Sequence, residues 1–120
     1  MKEQLMKDKT NCKTFTEGNF RDEVLKSKIP VLVVCEADWS GTCDILIPIM
    51  ENLCVEFKDR LKIGMMDIDR CGSLAEDYRI YTIPALVFFV DGEIVDQLKG
   101  LVSRQEIAEK INNIVSSGIK

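Results

Sequence analysis

The chain has 120 residues, a formal net charge of −4, 46% apolar and 30% charged residues, and a pI of about 4.9. That length makes one domain able to bury about two-thirds of the surface its unfolded chain exposes, and the acidic balance argues against a nucleic-acid partner, which would need a basic face. No apolar run reaches the ~20 residues of a membrane span, and the charged segment Met1–Asn11 lacks the apolar core of a signal peptide, so the expectation is a cytoplasmic protein that binds neither nucleic acid nor membrane.

Residues 1–11 read as a flexible N-terminal extension and 12–120 as a single domain. Cys12–Phe15 reads as a short edge strand, and Asn19–Ser27 carries Phe20, Val24 and Leu25 at helical spacing. Val31–Glu36 is nearly all apolar, the pattern of a central strand covered on both faces. A helix follows over Thr42–Phe57, with Leu46, Ile49, Met50, Leu53 and Phe57 three and four apart and a kink expected at Pro48. Leu61–Asp67 is the next strand and Ser73–Asp77 a short helix. Ala85–Val90 and Glu93–Leu98 are strands joined by the hairpin signal Asp91-Gly92. Ser103-Arg104-Gln105-Glu106 is a capping box that opens a last amphipathic helix, to about Ser116.

Between the central strand and its helix stands Trp39-Ser40-Gly41-Thr42-Cys43. A strand, a tight turn and a helix start put Cys43 in the first turn of the helix, where free N–H groups and the helix dipole favour a thiolate. The pattern is a Trp-Cys-x-x-Cys redox motif with serine in place of its first cysteine. The chain has no histidine, which excludes Ser-His and Cys-His nucleophile pairs. No two of the five cysteines are spaced as Cys-x-x-Cys, so neither a zinc site nor any other metal or cofactor is expected.

The element order and this motif resemble the thioredoxin family over roughly residues 14–118. Trp39 precedes the motif, Gly41 lies within it, and Pro48 stands five residues after Cys43. Thr82-Ile83-Pro84 is similar to the family's cis-proline loop, and Gly100 to the small residue lining its substrate groove. The resemblance implies an α/β thioredoxin-like fold, a mixed four- to five-stranded sheet with helices on both faces. It implies a monomer in thiol–disulfide redox homeostasis, with cysteine-bearing protein or peptide substrates and a thioredoxin-reductase-like partner. Ser40 holds the position of the nucleophilic cysteine and Cys43 that of the resolving one; Trp39, Gly41, Thr42, Thr82, Ile83, Pro84 and Gly100 are the implied substrate-binding residues.

The departures bear on function. Serine stays protonated near neutral pH and has no histidine beside it, so the chain as written should not turn over as a disulfide reductase. What remains is a single-thiol role for Cys43, or peptide binding. The family's buried Asp and its Lys partner align with Val34 and Met65, and Asp44 and Thr42 replace its usual Lys and Pro. Two alternatives stand beside this reading: a dithiol oxidoreductase with natural motif Trp-Cys-Gly-Thr-Cys, Ser40 being an introduced change, and a non-enzymatic peptide-binding or holdase module. Of the other cysteines, Cys35 should face away from Val34, Cys54 should be core, Cys12 incidental, and Cys71 an exposed loop thiol.

Overall fold

The computed structural model describes residues 12–37 and 41–117, apart from the side chains of Thr42, Cys43 and Ser117. The extension expected over residues 1–11 lies outside them. The elements run β1 (Lys13–Phe15), α1 (Arg21–Leu25), β2 (Val31–Glu36), α2 (Gly41–Glu56), β3 (Lys62–Asp67), α3 (Gly72–Asp77), β4 (Ala85–Val90), β5 (Glu93–Lys99) and α4 (Arg104–Ser117). They build one five-stranded sheet in the order β1-β3-β2-β4-β5. β1 and β2 run parallel to β3, β4 is antiparallel to β2, and β5 is antiparallel to β4.

β2 is central and buried from Val31 to Cys35, which is why it is apolar at every position rather than alternating. Its side chains divide between two layers. Leu32 and Val34 pack with Leu46, Met50 and Leu53 of α2, with Phe57 just after it, and with Ile107 and Ile111 of α4. Val31, Val33 and Cys35 pack on the other face with Phe20, Val24, Met66 and Phe89. There Phe20, Tyr78 and Phe89 form a three-ring cluster with centroids 5.5–5.7 Å apart. Edge strand β1 is held by Phe15, whose ring lies over Gly64; a Cβ on Gly64 would meet Phe15 Cε2 at 2.5 Å.

Local chemistry sets the element ends. α1 is a single wide turn closed from Lys26 N–H to the Arg21 carbonyl, shorter than the expected Asn19–Ser27. The reason is the polar knot ahead of it. Thr16 and Asn19 exchange hydrogen bonds between side chain and backbone, and Asn19 Nδ2 reaches back to the Thr14 carbonyl. α2 runs unbroken through Pro48. The β4–β5 turn has Asp91 and Gly92 at φ of 54° and 81°, the hairpin geometry their sequence signals. Ser103 Oγ accepts the Glu106 N–H at 3.1 Å and caps α4. Arg104 then ties α4 to α2 through Asn52 and Glu56.

Two expectations about cysteine are corrected. Cys12 is not incidental: it forms a disulfide with Cys54, their Cα atoms 5.6 Å apart, while Cys54 lies in the core as expected. β1 lies beside β3 at the sheet edge, and this brings residue 12 to the last turn of α2, which covers that face. Cys71 is not an exposed loop thiol; it is 2% exposed. The chain turns inward after Asp67, and the Cys71 thiol donates to the Phe15 carbonyl at 3.8 Å.

Candidate functional site

The fold gathers three segments at the C-terminal end of β2. The first is the junction from β2 into α2. Gly41 opens the helix, and the backbone of Cys43 lies in its first turn, where N–H groups have no intrahelical partner. Trp39 and Ser40, expected at the site, lie outside the described residues. The second segment is Thr82-Ile83-Pro84. The Ile83–Pro84 peptide bond is cis, and because Ala85 is the register partner of Cys35, Pro84 arrives beside the end of β2. Pro84 is buried, Ile83 half-buried and Thr82 exposed. The third is Gly100, whose N–H donates to the Pro84 carbonyl at 2.7 Å. Gly100 has a φ of +81°, and a Cβ there would meet nothing within 4 Å. A left-handed backbone conformation is one that glycine adopts without steric cost.

Exposed apolar side chains accompany each segment. Ile45 is 56% exposed beside the motif, Tyr81 is 77% exposed before Thr82, and Leu101 is 50% exposed after Gly100. Each of these exposed apolar residues adjoins one of the three segments in sequence. The resemblance did not single these three out. Their signal in the sequence is only that each apolar residue adjoins a site segment.

Beneath the site the described interior is apolar. Val34 of β2 and Met65 of β3 are register partners, Val34 fully buried and Met65 packed against the same layer under α2. Among the described residues no polar or charged side chain is buried, so none of them provides a proton relay under the helix. The other two thiols are removed from the site chemistry. Cys35 points to the opposite layer from Val34, as strand alternation requires. Burial first, then the neighbouring Cys71 and Glu36, push its pKa up to about 12. Burial also raises Cys71, with the Glu17 carboxylate next. No group of three or more His, Cys, Asp or Glu that could hold a metal occurs among the described residues, and none of their helices is long and apolar enough to cross a membrane.

A parallel-crossover half and an antiparallel hairpin half, joined so that a cis-proline loop lies beside the end of the central strand that leads into α2, are the architecture of the thiol–disulfide exchange class. Residues 11–113 match the family model for thioredoxin. The chain is 35% identical to thioredoxin of Rickettsia prowazekii over 100 residues, 83% of this chain and 95% of that protein. It is 38% identical to thioredoxin C-2 of Corynebacterium nephridii over 97 residues, 81% of this chain and 90% of the other. With thioredoxin 1 of Synechococcus elongatus it shares 35% identity over 97 residues, 81% and 91% of the two chains. The chain belongs to the thioredoxin family, and its fold and redox class are those of that family.

Proposed function

We propose that this thioredoxin-family protein binds extended, cysteine-bearing protein segments along Trp39, Ile83–Pro84 and Gly100. With serine at position 40, it captures them through Cys43 rather than turning them over. The observation that carries this reading is the meeting of the cis Ile83–Pro84 bond with Gly100 at the end of β2. It leaves an edge where a strand-like ligand can exchange backbone hydrogen bonds. The exposed Ile45, Tyr81 and Leu101 add apolar contact. Turnover needs one thiolate to attack and a second to resolve the mixed disulfide. Serine cannot take the first part, since its hydroxyl stays protonated and the chain has no histidine to act as base.

The test is a capture assay with a peptide carrying an activated disulfide. Cys43 should form a mixed disulfide that persists without a reductant, and Cys43→Ala should abolish it. Failure of Cys43 to label with iodoacetamide except on unfolding would sink the single-thiol reading and leave peptide binding alone. The cis Ile83–Pro84 bond and its hydrogen bond to Gly100 support a second reading, that of a dithiol oxidoreductase in which Ser40 stands where the natural motif has cysteine. Insulin reduction by Ser40→Cys at rates well above the parent would support it.

A further inference from the structure

The Cys12–Cys54 disulfide lies in the last turn of α2, eleven residues beyond Cys43 and at the opposite end of that helix from the motif. Beside it is a cleft of about 330 Å³, a size that holds a small organic molecule. Cys54 forms part of its wall, and its charged lining residues are Lys13, Lys58, Lys62 and Asp59. In a chain of net charge −4, three lysines against one carboxylate make a local positive site. Lys62 is partly neutralised, since its ammonium donates to the Glu23 carbonyl at 2.8 Å and pairs with the Glu23 carboxylate at 3.2 Å. Lys13 and Lys58 make no ion pair among the described residues.

We propose that Cys12–Cys54 and this cleft form a second thiol–disulfide exchange centre, independent of Ser40 and Cys43, whose co-substrate is a small thiol bearing a carboxylate. The carboxylate is held by Lys13 and Lys58. The thiolate attacks Cys54 Sγ, since Cys54 is the member of the pair that lines the cleft. A new sulfur–sulfur bond forms to Cys54, the Cys12–Cys54 bond breaks, and Cys12 leaves as a thiolate that takes a proton from water. A second molecule of the thiol then attacks the mixed disulfide. It releases the oxidised small disulfide and leaves Cys54 as a thiol, so two electrons pass from two small thiols to the protein. The leaving sulfur is provided for. Cys12 Sγ lies 3.5 Å from the Met50 carbonyl oxygen, an acceptor for its S–H once the bond has opened. Lys13, the next residue, gives positive charge that favours the departing thiolate.

The test follows loss of the disulfide by mass spectrometry in the Cys43→Ala protein at neutral pH. The probes are 3-mercaptopropionate, which carries a carboxylate, and cysteamine, which carries an ammonium, at equal thiolate concentration. At low ionic strength 3-mercaptopropionate should open the bond about tenfold faster, through an adduct on Cys54, and the preference should shrink in high salt. Lys13→Glu with Lys58→Glu should reverse the preference, and Lys13→Gln with Lys58→Gln should erase it, the circular dichroism of both staying native. Equal rates for the two thiols in the parent, an adduct on Cys12 alone, or opening only at the rate of global unfolding would overturn the proposal.

Discussion

Gly100 donates its backbone N–H to the Pro84 carbonyl at 2.7 Å, one residue beyond the Ala85–Lys99 pair that ends the β4–β5 ladder. This bond extends the β4–β5 pairing by one step and fixes the cis-proline loop relative to the end of β5. Gly100 meets that requirement at a φ of +81°, where any other residue places its Cβ unfavourably. Gly100→Ala should therefore lower stability by about 1–2 kcal/mol even though the site is open, read as a shift in the urea midpoint at constant slope. Gly100→Leu should add a second effect, weaker binding of an extended peptide, read by fluorescence anisotropy. Unchanged peptide affinity in Gly100→Leu would mean that residue 100 does not line the binding edge.

The edge strand β1 depends on a different glycine. Phe15 covers Gly64 so closely that a methyl group would fall 2.5 Å from its ring, and Phe15 itself is 1% exposed. Gly64→Ala should cost about 1–3 kcal/mol through overpacking. The same change made in Phe15→Leu should cost clearly less, since the smaller side chain yields space. A double-mutant cycle from denaturant unfolding reads this coupling directly, and additive losses would show that the ring and the glycine do not interact.

What could be read from the sequence, and what could not, follows from the range of the interactions. The buried central strand Val31–Cys35, the Asp91-Gly92 hairpin and the Ser103 cap are set by residues within a few positions of one another. They are legible for that reason. The same holds for Cys35 facing away from Val34, since strand alternation decides it. Cys12 and Cys54 are 42 residues apart and meet only because β1 pairs beside β3 under the end of α2. No local pattern records that. Cys71 follows a polar turn, Asp69-Arg70, and reads as exposed, yet the backbone carries it beneath the Phe15 carbonyl. At the site, Ile83-Pro84 and Gly100 are legible through family resemblance. The exposed Tyr81 and Leu101 depend on the tertiary arrangement of loops.

The disulfide closes a loop with a sequence separation of 42, which in the chain-entropy account corresponds to about 4 kcal/mol of stability. Cys12→Ser with Cys54→Ala should lower the stability by about 2–4 kcal/mol, seen as an earlier denaturant midpoint. Adding a reductant should shift the parent protein towards the double variant and leave the variant where it is. A reductant that moves both equally would place the effect on other cysteines.

Cys35 makes stability depend on pH in a definite direction. Burial holds its folded pKa up to about 12, whereas in the unfolded chain a cysteine titrates near 8.5. The unfolded state then loses a proton that the folded state keeps. The stabilising contribution is complete below about pH 8.5 and is lost as pH rises towards about 12. Within that window the slope should approach about 1.4 kcal/mol per pH unit for this group. Cys35→Val should flatten the decline between neutral and alkaline pH in urea titrations. An equally steep fall in Cys35→Val would assign it to other groups. Iodoacetamide should spare Cys35 and Cys71 in the native protein at neutral pH, since both are buried thiols whose pKa is raised.

Val34 and Met65 face each other across β2 and β3 at the positions where the family resemblance expects an Asp and a Lys. Both are apolar here, so the layer under α2 contains no charge to be compensated. Val34→Asp alone would place a carboxyl at a fully buried site, where it either ionises without a partner or holds a proton with a raised pKa. The expected loss is about 3–5 kcal/mol at neutral pH, the size seen when a buried charge lacks its partner. Met65→Lys alone should cost less, because Met65 is only half-buried and a lysine stem can carry its ammonium towards water. The double change should recover part of the Val34→Asp loss through pairing, giving a favourable coupling in a double-mutant cycle. In combination with Ser40→Cys the pair should also raise insulin reduction above that of Ser40→Cys alone, if an ionisable group under the helix serves the reductase chemistry. Coupling in stability without any gain in turnover would mean that the apolar pair is a packing choice, and that residue 40 alone limits the reaction.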